Sequence, residues 1–300
     1  MAKHTLGLEL YEAHAVAVAV DETGRVLGRA AVASKDLTAA ALATLDGAAS
    51  GSPGAVAAVG VSAINPDAAE CRAVLEALAP RYAGPFVQDG ASTSGTAAAM
   101  AETWIGAARG ALDVVLFSVA EHTSAGIVRD GAPIVGSHRR APAIAWLALN
   151  PVEREDYRKT GCLEAEVAAA GIVRRLVWRI KAGDRSGVQD VVNGDFTAIT
   201  LNHVLDAARE GDGVSISVVR DTAKYLGMAA ANLVVITDPA VLVLGGIMAS
   251  AADLLFELVR IEIARRVPPI MMQALTIEPA VLGADAAAIG AARLAMATLK

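Results

Sequence analysis

Short apolar strands alternate with alanine-rich helices along this 300-residue chain, and the order recurs loosely in its second half. Residues 5–10 and 15–20 are apolar and β-branched, and Asp21-Glu22-Thr23-Gly24 supplies turn chemistry before 25–32. That pattern predicts a hairpin continuing into a third strand. A helix is expected over 37–49, closed by Gly51-Ser52-Pro53-Gly54, then a short buried strand over 57–62. A helix over 67–78 follows, with Asp67 placed to cap it, and a small-residue helix over 95–106. Strands are expected over 114–119 and 125–128, with a turn at Arg129-Asp130-Gly131. Residues 151–232 read as nearly all helical, interrupted at Gly183 and Gly194. A strand over 240–244, a helix over 254–266, a strand over 275–279 and a closing helix over 285–299 complete the chain. Such alternation predicts an α/β class in which helices cover mixed sheets. We expect an N-terminal α/β lobe over 1–110, on which the final helix packs back, and a larger C-terminal α/β lobe over 111–300.

Composition narrows the function classes. With 54% hydrophobic and 19% charged residues the chain has ample material for a core, which excludes disorder. A net charge of −6, and arginine pairs such as Arg139-Arg140 and Arg174-Arg175 that extend into no basic run, argue against a nucleic-acid surface. Cys71 and Cys162 are too few for a disulfide framework and read as reduced thiols. The N-terminal MAKHTLGLEL has no signal-peptide pattern, and no apolar run reaches the roughly 18 residues of a membrane span. A soluble, cytoplasmic protein without membrane partners is expected.

Four dipeptides carry the most specific pattern: Gly211-Asp212, Leu226-Gly227, Asp238-Pro239 and Gly245-Gly246, in that order. Upstream, residues 161–174 read GCLEAEVAAAGIVR. Together they resemble the ROK family of sugar kinases and repressors, within the actin-like ATPase superfamily, from Leu6 to about Met296. The resemblance implies a two-lobed actin-like ATPase (ribonuclease H-like) fold, ATP-dependent phosphorylation of a sugar, and assembly as homodimers or tetramers.

At the positions that carry this chemistry in the family, other residues stand here. The first phosphate turn keeps an acid, Glu9, at the metal-facing position, but Tyr11 and Glu12 replace its glycines. A plain hairpin is the simpler reading, because glycine is what lets backbone amides approach a phosphate. In the second phosphate turn only Gly126 survives among the glycines, Glu121 brings negative charge, and His122 is a candidate acid or base. The asparagine–aspartate pair holding the catalytic base falls on Thr93 and Ser94, and a serine cannot deprotonate an alcohol unaided. Asp89 substitutes only if its loop is rearranged, and Asp89-Gly90 otherwise reads as a turn.

The family's sugar glutamate falls on Ala143, and three of its four zinc ligands become Trp146, Glu155 and Tyr157, leaving Cys162. No zinc is expected, and Trp146 is expected to fill the space that the metal organises. Glu164 stays at a sugar-contacting position, yet also suits the first turn of a helix. Gly245 and Gly246 match the turn beneath the nucleotide, although Ile247 replaces the third glycine and a strand-to-helix turn needs glycines too.

The expectation is therefore a degenerate sugar-kinase-like protein, a pseudokinase working by ligand or partner binding. No cofactor is expected, with ATP and magnesium only if the chain is active. The alternative is an ATP-dependent sugar kinase with relocated groups, drawn from Glu9, Asp89, His122 and Glu164. A DNA-binding regulator is disfavoured, since only about five residues precede Leu6, too few for a helix-turn-helix. A sugar ligand, and a homo-oligomer through helical residues 163–180 or pairing with a paralogue, are the expected partners.

Overall fold

The computed structural model describes residues 3–52, 54–82 and 90–299. The chain begins with β1 (Lys3–Leu10), β2 (His14–Val20), β3 (Val26–Ala33), α1 (Leu37–Ser50), β4 (Ala55–Ala63) and α2 (Ala69–Leu78). Then come β5 (Ser92–Thr93), α3 (Ser94–Trp104), β6 (Val114–Val119), β7 (Thr123–Arg129) and β8 (Ala132–Pro133). A helical stretch follows: α4 (Glu155–Thr160), α5 (Cys162–Val167), α6 (Ala169–Lys181), α7 (Val188–Val191), α8 (Leu201–Arg209) and α9 (Gly213–Thr237). The chain ends with β9 (Val241–Gly246), α10 (Ile247–Ser250), α11 (Ala252–Ala264), α12 (Pro269–Ala274), β10 (Thr276–Pro279) and α13 (Ala286–Ala297).

These elements gather into two compact units. One holds Met1–Leu116, Ala125–Pro142 and Ala280–Lys300; the other holds Phe117–Ser124 and Ala143–Pro279. Two five-stranded sheets run in the orders β3-β2-β1-β4-β5 and β10-β9-β6-β7-β8.

In the first unit β2 lies antiparallel to β1 and β3, while β4 runs parallel to β1 and β5 parallel to β4. Alternation along β2 separates two cores. Ala15, Ala17 and Ala19 join Leu6, Leu8, Leu45 and Leu78, whereas Val16, Val18 and Val20 meet Ala288, Ile289 and Ala292 of α13. The second core is unusually close. A Cβ on Gly7 would stand 1.8 Å from the Ala288 carbonyl oxygen, and one on Gly290 would stand 1.6 Å from that of Ala97 in α3. Gly290→Ala is therefore expected to lower stability by about 2 kcal/mol through overpacking. Urea unfolding reads this directly, and an unchanged midpoint would contradict the close approach.

The second unit gives physical reasons for all four dipeptides. Asp212 caps α9, accepting from the Ser215 amide at 2.7 Å. Gly227 lets α9 approach α11, since its Cβ would come 2.3 Å from Glu262 Cβ. Asp238 ends α9 in the left-handed conformation (φ 45°), and Pro239 cannot continue the helix. Gly246 takes φ 61° with its Cβ position 1.9 Å from the Val119 carbonyl oxygen, so no side chain fits there. Each dipeptide thus has a backbone or packing reason.

Two expectations need correction. Asp67 is not a helix cap: α2 opens at Ala69 after Ala68, while the Asp67 carboxylate pairs with Arg140 Nε at 2.6 Å. Its own amide bonds Asn65 Oδ1, so the segment is a side-chain-stabilised turn that delays the helix. The stretch over 151–232 is helical, but it is broken at more places than Gly183 and Gly194: Gly161 (φ 92°) separates α4 from α5, and Ala168 separates α5 from α6. Among the described residues no helix is long and apolar enough to cross a membrane.

Candidate functional site

The first turn is short and filled. The Tyr11 amide donates to the His14 carbonyl at 2.9 Å, closing a hairpin over Glu12 and Ala13. The Tyr11 and His14 rings stack with centroids 4.7 Å apart. One strand position before the turn's edge, β1 presents Glu9, in register with Val16 on β2 and Ser62 on β4. Glu9 is only 7% exposed. Burial raises its carboxyl to about 7, the Ser94 hydroxyl offsets part of that rise, and the charge of Asp285 adds to it.

Ser94 is the first residue of α3, behind the cap Thr93, whose hydroxyl accepts from the Thr96 amide at 3.2 Å. It approaches the Glu9 carboxyl without completing a hydrogen bond of good geometry. The fold thus brings Glu9 and Ser94 together, a pairing that nothing in the sequence signals. Asp89, the other base candidate, lies outside the described residues. A magnesium ion prefers ionised oxygen ligands, and burial works against ionisation of Glu9.

The second turn is built around Glu164. The Ala120 amide donates to the His122 carbonyl at 2.9 Å, and Ala120's own carbonyl accepts from Ala169 at the start of α6. Glu164, in the first turn of α5, meets His122 Nδ1 at 3.1 Å and accepts from the Thr123 amide at 2.9 Å and hydroxyl at 3.0 Å. Burial pushes this carboxyl up, but the bonds from His122 and Thr123 outweigh it and hold Glu164 below its ordinary range. Glu164 and His122 therefore form an oriented carboxylate–imidazole pair. Spacing alone could not reveal it, because 42 residues separate them.

Gly126 has no room for a side chain. A Cβ on Gly126 would lie 2.3 Å from the Gly95 carbonyl oxygen and 2.5 Å from Ala99 Cβ of α3. Gly245 is buried within β9, next to Gly246 described above.

The region resembling a zinc site is filled by side chains. Tyr157 packs with Cys162, Ala165 and Leu149. Its hydroxyl donates to Glu166 and accepts from Asn150 Nδ2 at 3.3 Å. Trp146 does not take this place: a single helical turn over Ile144–Trp146 buries Ile144 and leaves Trp146 57% exposed. Tyr157 assumes the filling role instead, anchored by Glu166, a residue the sequence reading passed over. Among the described residues no group of three or more His, Cys, Asp or Glu side chains could hold a metal ion, and a lone Cys162 among apolar neighbours does not fit zinc.

Two mixed sheets flanked by helices, with these turns at strand ends, define an actin-like ATPase fold. A ROK-family glucokinase from Streptomyces griseus, solved with glucose and AMPPNP, superposes with a TM-score of 0.78 at 23% identity, covering 98% of this chain and 99% of that one. A ROK hexokinase from Thermus thermophilus gives 0.77 at 24% identity, covering 99% of this chain and 100% of that one. The ROK family profile matches residues 14–298, and the chain belongs to the ROK family. That match begins later than the resemblance read from Leu6, leaving Glu9, Tyr11 and Glu12 outside it. In sequence the chain is similar to a glucokinase from Halalkalibacterium halodurans, 31% identical over 196 residues, which is 64% of this chain and 59% of that protein. It is also similar to the DNA-binding transcriptional dual regulator NagC of Escherichia coli, 28% identical over 158 residues, 52% of this chain and 37% of that one.

Proposed function

We propose that this protein is a ROK-family sugar-kinase homologue that binds a sugar or a protein partner without transferring a phosphoryl group. The observation that carries this reading is the first turn, a tight hairpin occupied by the Tyr11–His14 stack and carrying Glu12. Phosphoryl transfer rests almost entirely on positioning and on neutralising charge at the phosphates. A closed turn with an added carboxylate supplies neither. Ser94 at the base position and a buried Glu9 whose ionisation is opposed point the same way. On this reading Glu164 contributes to the sugar site, ATP and magnesium are not cofactors, and no zinc is bound.

With purified protein, ATP, magnesium and a panel of hexoses, no ADP formation above the uncatalysed background is expected. Sugars should raise the melting temperature while ATP leaves it unchanged, because only ligands of the native state stabilise it. Stoichiometric ADP and sugar phosphate, abolished by Glu164→Ala, would overturn the proposal.

One observation favours a second reading, the ATP-dependent kinase with relocated groups. The Glu164–His122 pair has the arrangement in which a carboxylate orients an imidazole to accept a proton. On that reading the same assay gives turnover that is lost in His122→Gln.

Further parts of the proposal are a cytoplasmic location, no nucleic-acid partner, and assembly as a homo-oligomer or with a paralogue. Because relatives such as NagC bind DNA, a mobility-shift assay at physiological salt tests the second part. Light scattering tests the third.

A further inference from the structure

A cavity in the helical part of the second unit belongs to neither turn. Its volume is about 900 Å³, and its walls include Arg154, Arg174, Arg175, Lys224 and Arg266 beside the carboxylates Glu166 and Asp221. Four of those cations have carboxylate partners: Arg154 with Glu166 and Asp156, Arg174 with Asp156, Lys224 with Asp221, Arg266 with Glu262. Arg175 is different. One of its nitrogens, Nη2, donates to the Thr222 hydroxyl, and the Tyr225 ring lies 5.9 Å from its guanidinium carbon. Its Nε and Nη1 are shielded from water and have no hydrogen-bond partner among the described residues.

The charges of Glu166 and Asp221 act on Arg175 without bonding it, and Glu262 is shared between Arg265 and Arg266, so Arg175 keeps two guanidinium nitrogens that no carboxylate bonds. Leaving guanidinium donors buried and unmatched is costly, and a ligand oxyanion is the group whose planar acceptors suit them. The remaining walls are organic in character, with Leu149, Met228, Tyr225 and Trp178, the last 75% exposed. Such surfaces accept a carbon skeleton beside the anion.

We infer that this cavity binds a small phosphorylated compound, with Arg175 as the anchor of its phosphate. The inference does not depend on whether the chain phosphorylates sugars, since the cavity shares no residue with Glu9, Ser94, His122 or Glu164.

The test is thermal shift and calorimetry with three probes: glucose 6-phosphate, inorganic phosphate and glucose. Glucose 6-phosphate at saturation should raise Tm by about 2 °C or more. That response should survive in Glu164→Gln and weaken at least tenfold in Arg175→Met. A response to the ester exceeding that to inorganic phosphate assigns the site to phosphorylated organic ligands. An equal response to both assigns it to free phosphate and overturns the organic part. If R175M does not fold by circular dichroism, Lys224→Met at the exposed rim replaces it, with about threefold weaker binding expected. No response to any phosphate, or one that is undiminished in the folded Arg175 or Lys224 variant, overturns the inference. Failure of the sugar-binding reading appears separately, as a glucose response that is absent or indifferent to Glu164→Gln.

Discussion

Replacing Glu102 with alanine is expected to remove about 3–4 kcal/mol of stability, the largest single-residue effect anticipated here. The side chain is fully buried near the end of α3. One carboxylate oxygen accepts from the Val281 and Leu282 amides, each at 3.1 Å, and the other accepts from the Ala107 amide at 2.7 Å. Charge-assisted bonds to amides are stronger than neutral ones, and each amide left without an acceptor costs about 1–3 kcal/mol, not fully additively. The consequence reaches the first turn. Residues 281–282 lead into α13, which packs against Gly7 two residues before Glu9, while α3 begins at Ser94. Glu102 therefore holds in place the two elements that set the Glu9–Ser94 approach. Urea unfolding with an unchanged m-value is the measurement, and Glu102→Gln, which keeps one acceptor, should fall between the two. A loss below about 1 kcal/mol in Glu102→Ala would show that these amides find other acceptors.

The frame was readable in the sequence because it rests on local rules. The alternation in 15–20 and the turn at 21–24 each work through neighbours a few residues away, and each stands in the structure as the pattern implies. The four dipeptides were legible through the resemblance to the ROK family, and the structure adds a backbone or packing reason for each. What escaped is long-range. Glu9 and Ser94 lie on different elements, Glu164 meets His122 across 42 residues, and the Arg175 cavity gathers side chains from α6, α9 and the loop before α4. No periodicity encodes such meetings. Asp67 illustrates the opposite error: it has a good capping residue's chemistry, but Arg140, 73 residues away, takes its carboxylate. Trp146 fails similarly, because the turn beginning at Ile144 chooses which of two apolar side chains faces inward.

Glu9→Gln is expected to stabilise the protein by about 3 kcal/mol at pH 8 and to change little at pH 4. The sign follows from the direction of the shift. In the folded chain the carboxyl titrates near 7, against an ordinary value of 4.5. Below that ordinary value both states are protonated and Glu9 contributes nothing to the pH dependence. Between 4.5 and 7 the unfolded chain ionises while the folded one stays neutral, so stability falls as pH rises. Above 7 the full penalty persists, and a shift of this size corresponds to about 3 kcal/mol at 1.36 kcal/mol per pKa unit. Glutamine keeps the shape without the charge, so the slope between pH 5 and 8 should flatten in the variant. The same experiment bears on catalysis, because burial that opposes ionisation of Glu9 also opposes its use as a metal-facing charge. Should stability instead rise with pH across that window, and Glu9→Gln remove the rise, Glu9 is ionised in the folded protein. The strongest electrostatic support for lost phosphoryl transfer would then fall with it.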